Sequence, residues 1–360
     1  MDWMTWALLV GGFILLIWGA EQLIRGASRL AAGLGVSPLV IGLTVVSYGT
    51  SAPELFISTF SAFAGASDLA FGNVVGSNIF NVLFILGLCA LISSLEVDVR
   101  LIRVDVPIMI GASLVAWMMA ADGVVNRWEG LILIAGVIGY TILCIRQSKL
   151  ESAAIQEEYE KEYGRKARTR RQILAQVFLC VFGLVLLVAG SQCLVTSCIT
   201  IARWLGVSEL VIGLTIVAAG TSLPEVATSV VAALRKERDI AVGNIVGSNI
   251  FNILSVLGFS SLVAPSGIEA PPQSLLFDVP VMIAVAVACL PIFFTGYRIA
   301  RWEGALFLAY YGFYVFAQIV LSAQWTDAQR VIVSIAYFVI PLTLVTLAVT
   351  SYRALREPRG

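Results

Sequence analysis

The sequence predicts an all-α polytopic membrane protein in which two inverted five-helix repeats form a ten-helix core and one extra C-terminal transmembrane helix follows. Three observations predict this fold class: an apolar composition, an internal duplication and a one-sided distribution of basic residues. The 360 residues are 59% hydrophobic and 13% charged, with a mean hydropathy of +0.92. Because an average soluble domain has about 25% charged residues, the composition indicates an integral membrane protein.

Eleven stretches have the composition of membrane-crossing helices, which need about 20 mostly apolar residues. The first stretch lacks a basic leading segment and a small-residue cleavage site, so it predicts a transmembrane helix rather than a signal peptide. The predicted cores are 4–24, 38–65, 70–92, 102–121, 128–146, 173–202, 209–234, 240–263, 275–295, 302–322 and 329–352.

The chain contains an internal repeat with a constant offset of 171 residues. "SPLVIGLTVVSYGTSAPE" at 37–54 aligns with "SELVIGLTIVAAGTSLPE" at 208–225, and "GNVVGSNIFN" at 72–81 aligns with "GNIVGSNIFN" at 243–252. Such a match predicts two copies of one structural unit. Each copy holds about five helices, and an odd number reverses the orientation of the second copy, as in the inverted repeats of secondary transporters.

The repeat and the distribution of charge predict the domain boundaries and the orientation. With the N-terminus outside, twenty of the 23 Lys and Arg residues lie in cytoplasmic connections. The positive-inside rule therefore predicts an outside N-terminus and a cytoplasmic C-terminus in the cell membrane, which is the inner membrane in a Gram-negative source. The predicted units are the first repeat at 1–147, a hydrophilic cytoplasmic loop at 148–171, the second repeat at 172–322, and the extra helix with a basic tail at 323–360.

Several classes of function find no support in the sequence. The six cysteines occur singly in apolar stretches and there is no histidine, so metal-ligand and redox spacings are absent. The net charge is zero, which provides no basic face for nucleic acid. The sequence contains no nucleotide-binding motif that would indicate an enzyme or an ATP-driven pump. We expect no cofactor, and a monomer suffices because one chain supplies both repeats.

Each repeat has a Gly-Thr-Ser-x-Pro-Glu motif, at 49–54 and at 220–225, inside a predicted transmembrane helix. Proline cannot donate to the carbonyl four residues earlier, so a carbonyl is freed at Gly49 and at Gly220. Such a break survives in hydrocarbon only where protein, water or an ion satisfies it. The motifs also supply carboxylates and hydroxyls within little more than one turn: Glu54, Glu225, Thr50, Ser51, Thr221 and Ser222.

A second polar motif follows in each repeat. Ser77 and Asn81, like Ser248 and Asn252, are four residues apart and therefore share a helix face. Together with the first motif they form a set of oxygen donors with two negative charges. Hard cations such as Ca²⁺ prefer oxygen ligands. Two carboxylates balance one Ca²⁺, two Na⁺ or two protons.

A packing interpretation competes with this binding interpretation. A transmembrane proline often only kinks a helix, and small residues allow close packing of helices. A carboxylate within the bilayer is costly, however, and indicates a functional site by default. Because the whole motif recurs in the second repeat, we favour a cation site.

The pair "GTSAPE" and "GNVVGSNIFN", with its copy "GTSLPE" and "GNIVGSNIFN", resembles the two α-repeats of the cation/calcium antiporter superfamily, in its sodium/calcium exchanger branch and prokaryotic relatives. The resemblance implies Na⁺/Ca²⁺ antiport by alternating access, with helices one and six sliding against the core. It implies that the ion ligands are the side chains of Glu54, Glu225, Thr50, Ser51, Ser77, Asn81, Thr221, Ser222, Ser248 and Asn252, with backbone carbonyls around Ser47 and Ala218.

Two features depart from the family pattern. Some members have Asp where this chain has Asn252, and the predicted eleventh helix exceeds the common ten. Related branches exchange H⁺ for Ca²⁺ on the same fold. The alternatives are therefore an H⁺/Ca²⁺ antiporter and, from another class, a cation channel or a membrane scaffold.

Overall fold

Helices account for most of the computed structural model, which describes residues 2–34, 36–148, 170–206, 218–294 and 296–322 and the isolated positions 344, 348 and 351. Both predicted repeats fall mainly within these ranges. Three predicted features lie wholly or largely outside the described residues: the loop at 148–171, the opening of the second repeated segment at 207–217, and the extra helix at 329–352.

The first repeat forms six helical segments. They are α1 (Trp3–Leu34), α2 (Pro38–Thr50), α3 (Ala52–Phe63), α4 (Ser67–Ile92), α5 (Leu101–Asp122) and α6 (Arg127–Ser148). The axes of α2 and α3 meet at an angle of 44°, so the predicted stretch 38–65 is two helices rather than one. Pro53 lies in the first turn of α3, where its missing N–H costs no helical hydrogen bond.

The second repeat follows the same order of elements. Its described helices are α7 (Arg170–Trp204), α8 (Ala218–Gly220), α9 (Leu223–Leu234), α10 (Arg238–Val263), α11 (Ser274–Phe294) and α12 (Arg301–Ser322). Among the described helices, seven have the length and hydropathy to cross a bilayer, and the α2–α3 pair makes an eighth if it is one span. The chain is therefore a multi-pass membrane protein.

A π-helical turn occurs at the same place in both repeats. One covers Asn81–Leu86 within α4 and the other covers Asn252–Leu257 within α10. Each turn starts at the last asparagine of its motif. Since π turns inside α-helices occur frequently at functional sites, their equivalent placement draws attention to these two asparagines.

Helix α10 lies at the centre of the protein, with every residue from 240 to 258 buried. Its glycines contact α2 backbone to backbone. A Cβ at Gly247 would lie 2.6 Å from the carbonyl oxygen of Leu43 and 2.7 Å from Ser47 Oγ, and a Cβ at Gly243 would lie 2.9 Å from the carbonyl oxygen of Leu39. This is the close helix approach that the G-x-x-x-G spacing predicts.

Helices α1 and α7 pack along each other through facing glycines. A Cβ at Gly12 would lie 2.9 Å from the carbonyl oxygen of Gly190, and a Cβ at Gly19 would lie 2.8 Å from that of Gly183. The helices have 32 and 35 residues, more than the roughly 20 that a bilayer crossing needs. Because their contact is between backbones, the two long helices form one closely packed pair.

Two short antiparallel strand pairs join the loops of the two repeats, a feature that the all-α prediction did not include. Strand β1 (Leu95–Glu96) pairs with β4 (Arg298–Ile299), and β2 (Val124–Val125) pairs with β3 (Ile268–Glu269). Each strand has two residues, too few for a period-two pattern to reveal it. Both pairs link one repeat to the other.

Candidate cation-binding site

The helix breaks predicted in the two repeats are present, and they position the two glutamates. Ser51 and Ser222, at the breaks, have φ/ψ angles of −82°/8° and −89°/8°. A new helix starts on the next residue in each case, with its proline in the first turn. Glu54 and Glu225 follow in that same turn, and their side chains are 1% and 0% exposed. The breaks therefore coincide with two fully buried carboxylates.

The carbonyls near the breaks have protein partners, which is one of the three possibilities that the motifs left open. The carbonyl of Gly220 accepts a hydrogen bond from Ser191 Oγ of α7 at 2.6 Å. The carbonyl of Ser47 accepts one from the N–H of Ser51 at 3.0 Å. Ala218 occupies the position equivalent to Ser47, at the start of α8. Protein groups thus satisfy part of the opened backbone, as the bilayer requires.

Each carboxylate is held by a hydroxyl of the other repeat. Ser51 Oγ donates to Glu225 Oε1 at 2.8 Å, and Ser222 Oγ donates to Glu54 Oε1 at 2.9 Å. All four side chains are buried, and hydrogen bonds to a carboxylate are strong in a low dielectric. The two repeated motifs therefore meet at one place.

The two threonines of the motifs form a second matched pair of contacts. Thr50 Oγ1 donates to Asn244 Oδ1 at 3.1 Å, and Thr221 Oγ1 donates to Asn73 Oδ1 at 3.4 Å. Each threonine again contacts an asparagine from the other repeat. Both the serines and the threonines of the two motifs therefore bind partners in the other repeat.

Four buried asparagines from α4 and α10 lie beside the carboxylate motifs. Asn81 Nδ2 donates to Asn249 Oδ1 at 3.0 Å, and Asn252 Nδ2 donates to Asn78 Oδ1 at 3.2 Å. The amide nitrogens of the two predicted ligands are therefore occupied. Their carbonyl oxygens are the atoms left for an ion.

Several buried oxygen atoms of the site have no hydrogen-bond partner among the described residues. They are Glu54 Oε2, Glu225 Oε2, Asn81 Oδ1, Asn252 Oδ1 and Ser248 Oγ. Leaving a buried polar atom unpaired costs about 1–3 kcal/mol, so such a group of atoms needs a partner. Ser77 differs from its counterpart Ser248, because Ser77 Oγ lies 3.3 Å from Ser222 Oγ and can donate to it while Ser222 donates to Glu54.

The donor set fits a hard cation. It contains two carboxylates, while hydroxyl and amide oxygens supply the other donors. Among the described residues, no group of three or more His, Cys, Asp or Glu side chains could hold a metal ion. A soft or borderline metal would require nitrogen or sulfur ligands, whereas Ca²⁺ and Na⁺ bind oxygen. The arrangement suits an ion that is bound and released.

The family model described as sodium/calcium exchanger protein matches residues 4–146 and 175–320. The chain belongs to the sodium/calcium exchanger family. The family is one of transporters rather than of enzymes, and the α-repeat resemblance noted in the sequence is confirmed. The two matched ranges cover both repeats.

Three relatives of this exchanger-family chain match it over most of its length. CaxA of Alkalimonas amylolytica is 42% identical over 281 residues, which are 78% of this chain and 86% of that protein. The inner membrane protein YrbG of Escherichia coli (strain K12) is 35% identical over 293 residues, 79% of this chain and 87% of YrbG. The sodium/calcium exchanger MaX1 of Methanosarcina acetivorans is 32% identical over 339 residues, 84% of this chain and 95% of MaX1.

A solved structure of the sodium-calcium exchanger NCX_Mj, soaked with zero Na⁺ and Ca²⁺, has the same fold as this exchanger-family chain. The TM-score is 0.74 at 29% sequence identity, and the match covers 90% of this chain and 100% of NCX_Mj. The likeness therefore extends over the whole architecture rather than over the motifs alone.

Sequence reasoning missed the residues that support the predicted ligands in this exchanger-family site. Asn73 Nδ2 donates to Ser58 Oγ at 2.8 Å, and Asn244 Nδ2 donates to Ser229 Oγ at 2.9 Å. Both asparagines belong to the repeated Gly-Asn motif, and the two serines are also 171 residues apart. The signal that could have identified these residues is that the same residue type stands at equivalent positions of the two repeats.

Proposed function

We propose that this family member is a secondary active antiporter that exchanges Na⁺ for Ca²⁺ by alternating access. The observation that carries the proposal is the group of buried, unpartnered oxygens from both repeats, which includes one oxygen of each carboxylate. The names of MaX1 and NCX_Mj as sodium/calcium exchangers support the same pair of ions.

Charge balance explains why these ions would alternate. The two buried glutamates carry two negative charges, and a buried charge without a counter-charge is strongly unfavourable. One Ca²⁺ or two Na⁺ neutralises them, so either load can occupy the site while an empty, doubly charged site is disfavoured. Exchange rather than uncoupled flow follows from this requirement.

We propose that the ligands come from both repeats. Glu54 and Glu225 supply charge, and their neighbours supply neutral oxygens. The proposed neutral ligands are Thr50, Ser51, Ser77, Asn81, Thr221, Ser222, Ser248, Asn252 and the carbonyls of Ser47 and Ala218.

The proposed architecture is the ten-helix core of two inverted repeats with an eleventh helix, an outside N-terminus and a cytoplasmic C-terminus. The matched contacts Ser51–Glu225 and Ser222–Glu54 support a two-fold relation between the repeats. The glycine-packed pair α1 and α7 would slide as one body against the core. A reporter enzyme that is active only in the cytoplasm, fused after residue 360, should be active.

An H⁺/Ca²⁺ antiporter is the second candidate, because two protons neutralise two carboxylates as two Na⁺ do. Asn81 and Asn252 are neutral, so they add no third negative charge that would require a further cation. This observation supports the H⁺/Ca²⁺ candidate. Both candidates use the same Ca²⁺ site and differ in the counter-ion alone.

A counter-ion series tests the proposal. Purified protein in liposomes is loaded with Na⁺, and uptake of ⁴⁵Ca²⁺ is measured against gradients of Na⁺, H⁺ and K⁺ in turn. We expect uptake that requires the outward Na⁺ gradient. Uptake that follows a pH jump in the absence of Na⁺ would establish the proton-coupled candidate instead, and Ca²⁺ current without any counter-ion would indicate a channel.

A further inference from the structure

Two chains of polar contacts lead from a methionine, through one asparagine, to a predicted ligand. In the first, Asn249 Nδ2 contacts Met109 Sδ at 3.4 Å, and Asn249 Oδ1 accepts from Asn81 Nδ2 at 3.0 Å. In the second, Asn78 Nδ2 contacts Met282 Sδ at 3.6 Å, and Asn78 Oδ1 accepts from Asn252 Nδ2 at 3.2 Å. Each chain crosses twice between the repeats.

A thioether has no hydrogen to donate, and this fixes the direction of the first chain. The sulfur of Met109 can only accept a hydrogen bond, so the NH₂ group of Asn249 must face it. The oxygen of Asn249 then faces Asn81, whose NH₂ group must face back toward Asn249. The carbonyl oxygen of Asn81 is left on the other side, buried and without a partner among the described residues.

The same reasoning applies to the second chain. Met282 orients Asn78, and Asn78 orients Asn252, whose Oδ1 is also buried and has no partner in the part of the chain that the structure describes. Without a fixed direction, a primary amide presents an acceptor in one orientation and two N–H donors in the other. Two N–H groups aimed at a cation would repel it.

We propose that Met109 and Met282 are positioning residues that hold the amide oxygens of Asn81 and Asn252 toward the transported cation. This inference rests on the proposed function of the site. Both methionines are buried, with 1% and 4% of their surface exposed, and no water is needed for either contact. The methionines occupy equivalent places in the repeated "DVP-x-M" segments at 105–109 and 278–282.

The two chains differ in how firmly the middle asparagine is held. Asn78 Nδ2 also donates to the backbone carbonyl of Asn249 at 3.3 Å, and a carbonyl is likewise only an acceptor. Asn78 therefore keeps its direction without Met282. For Asn249, the thioether of Met109 is the acceptor that the described residues provide to its amide nitrogen. Met109 should therefore matter more than Met282.

Replacing each methionine by leucine tests the proposal, because this swap conserves volume and apolar character. We expect Met109→Leu to raise the Kd for Ca²⁺, measured by calorimetry on the purified full-length protein, by roughly three- to tenfold, the equivalent of one neutral hydrogen bond. The matched variant Met282→Leu should raise it by less than about twofold, since the carbonyl still orients Asn78. Equal effects of the two variants, or none from Met109→Leu, would overturn the proposal.

A double-mutant cycle separates positioning from packing. In an Asn81→Asp background both terminal atoms of residue 81 are oxygens, so the direction of Asn249 no longer decides which atom faces the cation. Met109→Leu should then leave the Kd unchanged relative to Asn81→Asp alone. If it costs the same factor in both backgrounds, Met109 acts through packing and the proposal is wrong.

Two further measurements keep the outcome interpretable. If thermal unfolding in detergent shows that Met109→Leu does not fold, Asn249→Leu replaces it. Asn249→Leu breaks the same chain of contacts and should raise the Kd at least as much. Asn78→Leu is its counterpart in the second chain of contacts. Wild-type protein that binds no Ca²⁺ refutes the proposed function. Wild-type protein that binds Ca²⁺ with a Kd that Met109→Leu and Asn249→Leu both leave unchanged refutes the positioning role alone.

Discussion

The buried centre of the protein and its partly exposed surface differ in how far they keep the symmetry of the duplication. At the centre, Ser51 binds Glu225 at 2.8 Å and Ser222 binds Glu54 at 2.9 Å, so the two repeats make the same contact with exchanged partners. Both repeats have a serine and a glutamate at these positions, because each carboxylate accepts its hydrogen bond from the serine of the other repeat.

At the partly exposed surface the symmetry is lost. Glu21 near the middle of α1 forms ion pairs with Arg25 in its own helix and with Arg235 in the turn after α9. The equivalent positions, 171 residues away from Glu21 and Arg235, are Gln192 and Ala64, which cannot form an ion pair. The comparison indicates that the repeats stay alike where their motifs contact each other and diverge where each meets its own surroundings.

The largest expected effect tests the symmetry of the centre. Glu54→Gln and Glu225→Gln each remove one of two charges and keep the shape of the side chain. We expect each to lower Na⁺-dependent Ca²⁺ uptake by on the order of 100-fold or more, the cost of disturbing a buried charge balance. Near-normal exchange by either variant would show that the ion binds elsewhere. Unchanged elution in size-exclusion chromatography would show that both variants remain folded.

The next effect tests whether the two carboxylates are held equally. Ser51→Ala and Ser222→Ala each remove the hydroxyl that the opposite glutamate accepts from. Because a hydrogen bond to a charged group contributes about 1.5–3 kcal/mol, we expect each variant to weaken Ca²⁺ binding by roughly tenfold or more. Calorimetry on both variants measures this. Clearly unequal losses of Ca²⁺ affinity would mean that the two carboxylates are not equivalent in binding, although their two contacts have matching geometry.

A glycine substitution tests the contrast between centre and periphery. A Cβ at Gly247 would lie 2.6 Å from the carbonyl oxygen of Leu43, so Gly247→Ala must push α10 away from α2. We expect it to destabilise the protein by about 1–3 kcal/mol, and to reduce transport because both helices carry proposed ligands. Gly139→Ala is the control, since that exposed glycine has open space around it. Equal melting temperatures for the two variants would contradict the close approach.

The smallest effect concerns the asymmetric ion pair at the partly exposed surface. The side chains of Glu21 and Arg235 are 28% and 38% exposed, and a partly exposed ion pair contributes about 0.2–1 kcal/mol. Glu21→Gln should therefore lower the melting temperature slightly at low salt, and the difference should vanish at high salt because exposed charges are screened. Gln192→Glu, on the exposed equivalent position, should gain nothing. A salt-independent loss for Glu21→Gln would point to a role other than this ion pair.

Much of the site could be predicted because its chemistry lies in short, repeated segments. Pro53 and Glu54 are adjacent in the chain, so the break and the charge are both visible in one window. The duplication then indicated that the second copy, at Pro224 and Glu225, belongs to the same site. The contacts Ser51–Glu225 and Ser222–Glu54 show that the two copies meet.

The remaining features depend on contacts between distant parts of the chain. Ser191 reaches the carbonyl of Gly220 from another helix, and Met109 contacts Asn249 from a position 140 residues away. Periodicity and composition carry no information on such pairs, because they describe one segment at a time. The two-residue strands could not be predicted for a related reason. They are defined by their pairing with a distant strand, and two residues alone show no pattern.

The exchange of hydrogen-bond partners between repeats also constrains how the protein is made. The ribosome completes Glu54 168 residues before the Ser222 that holds it. At roughly 5–20 residues per second, the first half of the newly synthesised chain waits about 10–30 s in the membrane with this carboxylate unmatched. The early helices are therefore complete in sequence during that interval, but their contacts with the second repeat have not yet formed.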